Sequence, residues 1–203
     1  MGLAIYLLGT PRIEQGGAVV ASPRGNKPWG LLAYMVLAER PPSRERLASL
    51  LFGDANDPLA ALRWSLSALR RSLIGARIDG DPVRLTLPAG TFVDVTTLLF
   101  GSPREAVRLP EIDGGLLEGV DLAASPAFET WLVMERRHLA GAAEAALHEA
   151  ALVRLGTGDA DAAVALASRL VGLNPFDENF QVLLVRSLAA SGDGIGADRK
   201  SVV

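Results

Sequence analysis

The stretch Asp57 to Gly75, DPLAALRWSLSALRRSLIG, restricts the possible folds more than any other part of the chain. Leu62, Leu66, Leu69 and Leu73 recur at helical spacing and line one face of an α-helix. Asp57 suits the N-cap, Pro58 the first helical position and Gly75 the position just past the end. On a helical wheel Trp64, Ser67 and Arg71 stand roughly opposite the leucines, with Arg63 and Arg70 on the flanks. Asp57 is the only acid in the stretch and sits at its amino end. The leucines require a small body to bury against, which leaves a face of Arg, Ser and Trp outward. Many amphipathic helices merely solvate such a face, so its meaning depends on the neighbouring elements.

Those neighbours form an ordered series. Leu3 to Leu8 is apolar and β-prone and is turned by Gly9-Thr10-Pro11. Arg12-Ile13-Glu14 and Ala18-Val19-Val20 flank Gln15-Gly16-Gly17, giving two or three short strands with a hairpin turn. PWGLLAYMVLAE, Pro28 to Glu39, is apolar nearly all round and predicts a buried helix. Arg24 and Lys27 precede it, either to reach a phosphate backbone or as solvated charges. After Pro41-Pro42, Ser43 caps a second helix, RERLASLLF, with Leu47, Leu50 and Leu51 inward. The loop Gly53 to Asp57 then leads to the leucine-and-arginine helix, which makes a helix-turn-helix. Beyond Gly75 the period becomes two. Val83, Leu85 and Leu87 alternate with Arg84 and Thr86, after Arg77-Ile78 and the turn Asp79-Gly80-Asp81-Pro82. The whole reads as an α+β winged helix-turn-helix with N-terminal β-strands, spanning residues 1–95. In that setting a helix of about 25 Å, at roughly 1.5 Å per residue, suits a major groove about 12 Å wide. Arginine forks suit guanine edges and phosphates.

Composition bears on this reading through charge and cysteine. The chain has 203 residues and a net charge of −3. Residues 1–95 hold 11 Lys/Arg against 8 Asp/Glu, or +3, and residues 96–203 hold 9 against 15, or −6. A mildly basic first half beside an acidic second suits a nucleic-acid module joined to something else. No cysteine is present, which excludes disulfides and cysteine-ligated metal centres and fits a reducing cytoplasm. No apolar run approaches the ~20 residues of a membrane helix, and the start reads as a strand rather than a signal peptide. Only Met1-Gly2 precede that strand, so control by aspartyl phosphorylation within this chain is not expected.

The second half reads as helical. A short helix is expected from Asp94 to Phe100, then a loop-like stretch from Gly101 to Ala124. Ser125-Pro126 opens a long helix through Leu155 with Phe128, Trp131, Leu132 and Leu139 as core. Gly156 to Asp159 turns the chain into a helix from Ala160 to Leu173. Asn174 is expected to cap, and Pro175 to begin, a third helix running to Ala190. Ala163 and Ala167, with helices joined by Gly-Asp and Asn-Pro turns, suggest tetratricopeptide-like packing. His138 and His148 lie ten apart, not at the three- or four-residue spacing of a helical metal site. No phosphate-binding glycine loop, calcium loop or nucleophile elbow is found. No enzyme, cofactor or metal site is therefore expected. Asp198 to Val203, DRKSVV, resembles a translated sequencing adapter, so 198–203 is expected to be a non-native tail and the natural chain to continue.

Taken in order, LLGTPRI, WGLLAYMVLA, PPSRERLASLLFGD, ALRWSLSALRRSL and VRLTLPAGTFVDV resemble the antibiotic-regulatory-protein type of bacterial transcriptional activator. LLEGVDL, SPAFETWLVMERRHL and the stretch GDADAAVALASRLVGLNPFDENFQVLLVRSLAASGD continue the resemblance through the second half. It implies a winged helix followed by a tetratricopeptide-like bacterial transcriptional activator domain at 96–197, without a cofactor. It also implies double-stranded DNA as partner, at direct-repeat promoter sites, with recruitment of RNA polymerase and a homodimer on DNA. Carried over, Arg63, Trp64, Ser67, Arg70 and Arg71 would read bases. Ser43 and Arg44 would touch phosphate through free N–H groups and the helix dipole. Trp64 meets either DNA or a neighbouring subunit or loop. The wing tip departs from the pattern, because Asp79 and Asp81 would be repelled by a minor groove, whereas Arg77 and Arg84 on the wing strands would meet the backbone. The alternative is a protein-interaction module whose winged helix no longer binds DNA. The two readings part on whether Arg63, Arg70 and Arg71 form one open positive face.

Overall fold

The structure, a computed structural model, describes residues 2–122 and 125–192; the expected tail at 198–203 lies outside the described residues. It divides into two compact units, Met1–Thr97 with Gly114–His138, and Leu98–Asp113 with Leu139–Val203.

In the first unit, β1 (Leu3–Tyr6), β2 (Arg12–Gln15) and β3 (Ala18–Val19) form an antiparallel meander. Gly16 and Gly17 both adopt positive φ in its tight turn, which side chains with a Cβ resist. A short strand, β6 (Phe92–Val93), pairs parallel with β1, so the sheet order is β3-β2-β1-β6. Three helices follow β3: α1 (Lys27–Leu37), α2 (Arg44–Phe52) and α3 (Pro58–Ser72). Their buried residues include Leu31, Leu32, Leu47, Leu51, Leu62, Leu66 and Leu69. The wing is a separate two-stranded ribbon, β4 (Arg77–Asp79) and β5 (Arg84–Thr86). Its turn contains a cis Asp81–Pro82 bond.

The end of β1 is held by a carboxylate. Asp94 is almost fully buried and opens α4 (Asp94–Phe100). It accepts from the Leu7 N–H at 2.8 and 2.9 Å, from Leu8 at 2.9 Å and from Val95 at 2.7 Å. Burial pushes its pKa up to about 6, against the opposing pull of the Leu8, Leu7 and Val95 N–H groups and the Arg12 charge.

Residues 114–138 belong with this unit for a definite reason. The Leu117 N–H donates to Leu7 O and the Gly9 N–H to Gly115 O, both at 2.8 Å, which continues the sheet by an isolated bridge between Leu8 and Leu116. The first part of α6 (Pro126–Gly156) then brings Phe128 and Trp131 against Tyr34, with ring centroids 6.5 and 4.8 Å away. A Cβ on Gly30 would stand 3.0 Å from Leu122 and 3.1 Å from Phe128, so any larger residue here would make those side chains give way by a few tenths of an ångström.

In the second unit, α7 (Ala160–Leu173) and α8 (Glu178–Ser191) form a helical hairpin that buries Ala163, Ala167 and Leu170 against Phe180, Leu183 and Leu184. Bounds for α7 agree with the sequence reading. The start of α8 does not. Asn174 closes α7, and Asp177 is the N-cap of α8, its carboxylate accepting from the Asn179 and Phe180 N–H groups. The stretch expected to be loop contains one helical turn, α5 (Pro103–Ala106), with a reciprocal Ser102–Glu105 capping box. Arg169 of α7 grips Asp113 with two hydrogen bonds, at 3.1 and 3.2 Å, and holds the Asp113 carboxyl below its ordinary pKa. The architecture is a winged helix with N-terminal strands followed by a tetratricopeptide-like helical region.

Candidate nucleic-acid interface

The site is built on α3. Asp57 caps it by accepting from the Ala60 N–H at 2.9 Å, and Pro58 occupies the first turn, where its missing N–H costs nothing. Leu62, Leu66, Leu69 and Leu73 are at most 1% exposed and bind the helix to its body. The opposite face is open. Trp64 remains 54% exposed, the Arg63 side chain is 66% exposed, Arg71 is exposed and Ser67 is half-buried. Asp57 approaches Arg63 to 4.0 Å across solvent, a weak surface pair. Arg63, Trp64, Ser67 and Arg71 thus share one outward face.

Arg70 does not join them as a free group. Its Nε donates to Ile78 O at 2.9 Å, and its Nη2 donates to the same carbonyl. This ties α3 to the wing strand β4. Arg70 stays exposed and charged, so of the three arginines expected to form one positive face it alone is tethered to the wing strand. The cause is local: Ile78 is buried beside α3 at the wing's base, and its carbonyl draws the nearest guanidinium.

The start of α2 also differs from expectation. Ser43 does cap it, accepting from the Arg46 N–H at 3.1 Å. The Arg44 N–H, expected to be free for a phosphate, donates to Asp81 Oδ1 at 3.0 Å, and Arg44 Nε donates to Gly80 O at 3.0 Å. The Val83 N–H donates to Pro42 O at 2.7 Å. The wing turn thus supplies the anion that the helix N-terminus attracts. Arg77 of β4 meets Asp79 at 3.1 Å, whereas Arg84 of β5 is exposed. Lys27, ahead of α1, is held by Asp54 at 2.7 Å and lies over the Phe52 ring.

The sequence reading did not anticipate a groove on one side of α3. Ala21, Ser22, Pro23 and Arg24 form one wall, and Trp64, Ala68, Arg71 and Ser72 form the other. The Ser72 hydroxyl donates to Ala21 O at 3.1 Å and fixes the loop to the helix. Among the described residues no group of His, Asp and Glu side chains is placed to hold a metal ion, and no helix is long and apolar enough to cross a membrane.

Residues 97–197 match the model of the bacterial transcriptional activator domain family. The fold is similar to that of Mycobacterium tuberculosis EmbR, solved in complex with a low-affinity phosphopeptide. That likeness has a TM-score of 0.63 at 19% identity and covers 98% of this chain and 57% of the EmbR chain. No curated protein sequence matches the chain. Residues 97–197 therefore carry the match to the bacterial transcriptional activator domain family, and the likeness to EmbR gives the chain its fold, a winged helix followed by a helical region.

Proposed function

We propose that this chain regulates transcription in the cytoplasm by binding duplex promoter DNA, with α3 in the major groove. The observation that carries the reading is the solvent-open face of Arg63, Trp64, Ser67 and Arg71 opposite four buried leucines. Arginine forks would read guanine edges, and Ser67 would supply a short contact. Arg84 on the wing would meet backbone. Arg70, Arg44 and Ser43 act here by holding the wing and the helix start in place. Direct-repeat sites, a homodimer on DNA and contact with RNA polymerase through the helical region complete the proposal. It involves no catalysis and no cofactor.

Selection of bound sequences from random duplex DNA tests it. Enrichment of a repeated motif is the expected result, and a pool that never enriches would refute it. A second reading, a protein-interaction module without DNA binding, draws on the wing. Asp79 neutralises Arg77, Asp81 occupies the start of α2, and Arg70 is tethered to the wing strand. The same selection separates the two readings.

A further inference from the structure

The wing and the groove lie on different flanks of α3. Arg70 reaches the wing, whereas Trp64, Ala68, Arg71 and Ser72 face the loop 21–24. At about 100° per residue, Arg70 and Arg71 leave the helix in clearly different directions. The wing flank carries the carboxylates of Asp79 and Asp81, with Asp81 fixed on Arg44. The groove flank carries two exposed guanidiniums, Arg24 and Arg71, with no ion-pair partner for either among the described residues. Arg24 also borders a second depression, lined by Lys27, Phe52, Asp54 and Trp64, where the Lys27 charge is already matched by Asp54. A polyanion against α3 therefore meets carboxylates already matched by Arg44 and Arg77 on the wing side, with Arg84 exposed there, and two unpaired guanidiniums side by side on the loop side.

Resting on the DNA-binding reading, we infer that the loop before α1 is a second DNA contact. Its groove seats a backbone phosphate of the strand flanking the reading helix, between Arg24 and Arg71. The Ser72–Ala21 hydrogen bond holds the loop at a fixed distance from α3, so Arg24 is presented from a fixed base rather than from a free arm. Arg24 then adds affinity without reading sequence, because phosphates position and base edges specify.

The test uses the full chain and the duplex it enriches from a random pool. Affinity is measured from about 50 to 200 mM salt for the wild type, Arg24→Ala, Arg24→Lys and Arg71→Ala. One phosphate contact contributes about 0.9 to the slope of log affinity against log salt. Arg24→Ala is expected to bind about 3-fold or more weakly at low salt, with the slope reduced by about 0.9 and the preferred sequence unchanged. Arg24→Lys should restore the slope. Neutral methylphosphonate substitution should identify one flanking phosphate whose loss affects the wild type and not Arg24→Ala. If Arg24→Ala keeps wild-type affinity and slope while Arg71→Ala loses affinity, the groove contact is refuted and the DNA reading stands. If no duplex enriches, both are refuted.

Discussion

Single residues carry more of this fold than their positions in the sequence suggest. Asp94 resembles an ordinary helix-capping acid, yet its buried carboxylate replaces a missing ladder partner for Leu7 and Leu8. Its pKa of about 6 lies above the usual 3.8, so between those values the folded chain keeps a proton that the unfolded chain has lost. Stability contributed by this group is therefore complete below about pH 3.8, falls as pH rises through that window and is level above it. A shift of this size corresponds to roughly 3 kcal/mol. Thermal melts from about pH 4 to 7 should show a fall in stability that flattens in Asp94→Asn. The same slope in both proteins would refute the assignment. No pattern in the sequence gives this role, because Leu7 and Leu8, the partners that Asp94 holds across the sheet, lie more than eighty residues away.

At the scale of elements, local chemistry made most boundaries readable. Asp57-Pro58 opens α3 and Ser43 opens α2, as their capping chemistry requires. Where two capping residues competed, sequence alone was ambiguous: Asn174-Pro175 and Asp177 both suit a helix start, and the carboxylate of Asp177 reaches two amides. The Ser102–Glu105 capping box is visible in the sequence but marks a helix too short to show a period. The outward face of α3 was legible because 3.6-residue periodicity separates it from the leucines. The destination of Arg70 was not, since it depends on where the wing strand lies. Arg70→Ala should loosen the wing and lower stability by about 1 kcal/mol, below the roughly 1.5–3 kcal/mol of a charged hydrogen bond because Arg70 is exposed to solvent. Its base preference should remain that of the wild type. A change in the enriched motif, with no change in melting, would return Arg70 to the reading face.

For the molecule as a whole, the main departure from a linear reading is the path of residues 114–138. The chain leaves the first unit after Thr97 and returns to it at Gly114. That return brings Leu116, Leu117, Leu122 and Phe128 into the first unit's core, all of them buried. Each such side chain contributes about 1.5–3 kcal/mol on burial, against a typical total stability of about 5–15 kcal/mol. A fragment ending at residue 97 should therefore lose its cooperative melt, and one ending at residue 138 should keep it. Equal melts in the two fragments would show that the added segment contributes nothing. Hydrophobic pattern alone placed Phe128 in a core but could not say which core.

The central claim is that α3 reads base pairs with the face holding Arg63, Trp64, Ser67 and Arg71. The most direct measurement is the affinity of Arg63→Ala for the enriched duplex relative to a scrambled one. The account predicts a loss of about 1–3 kcal/mol on the enriched duplex, a smaller loss on the scrambled one, and relaxed preference at one base position. Unchanged discrimination between the two duplexes would contradict it.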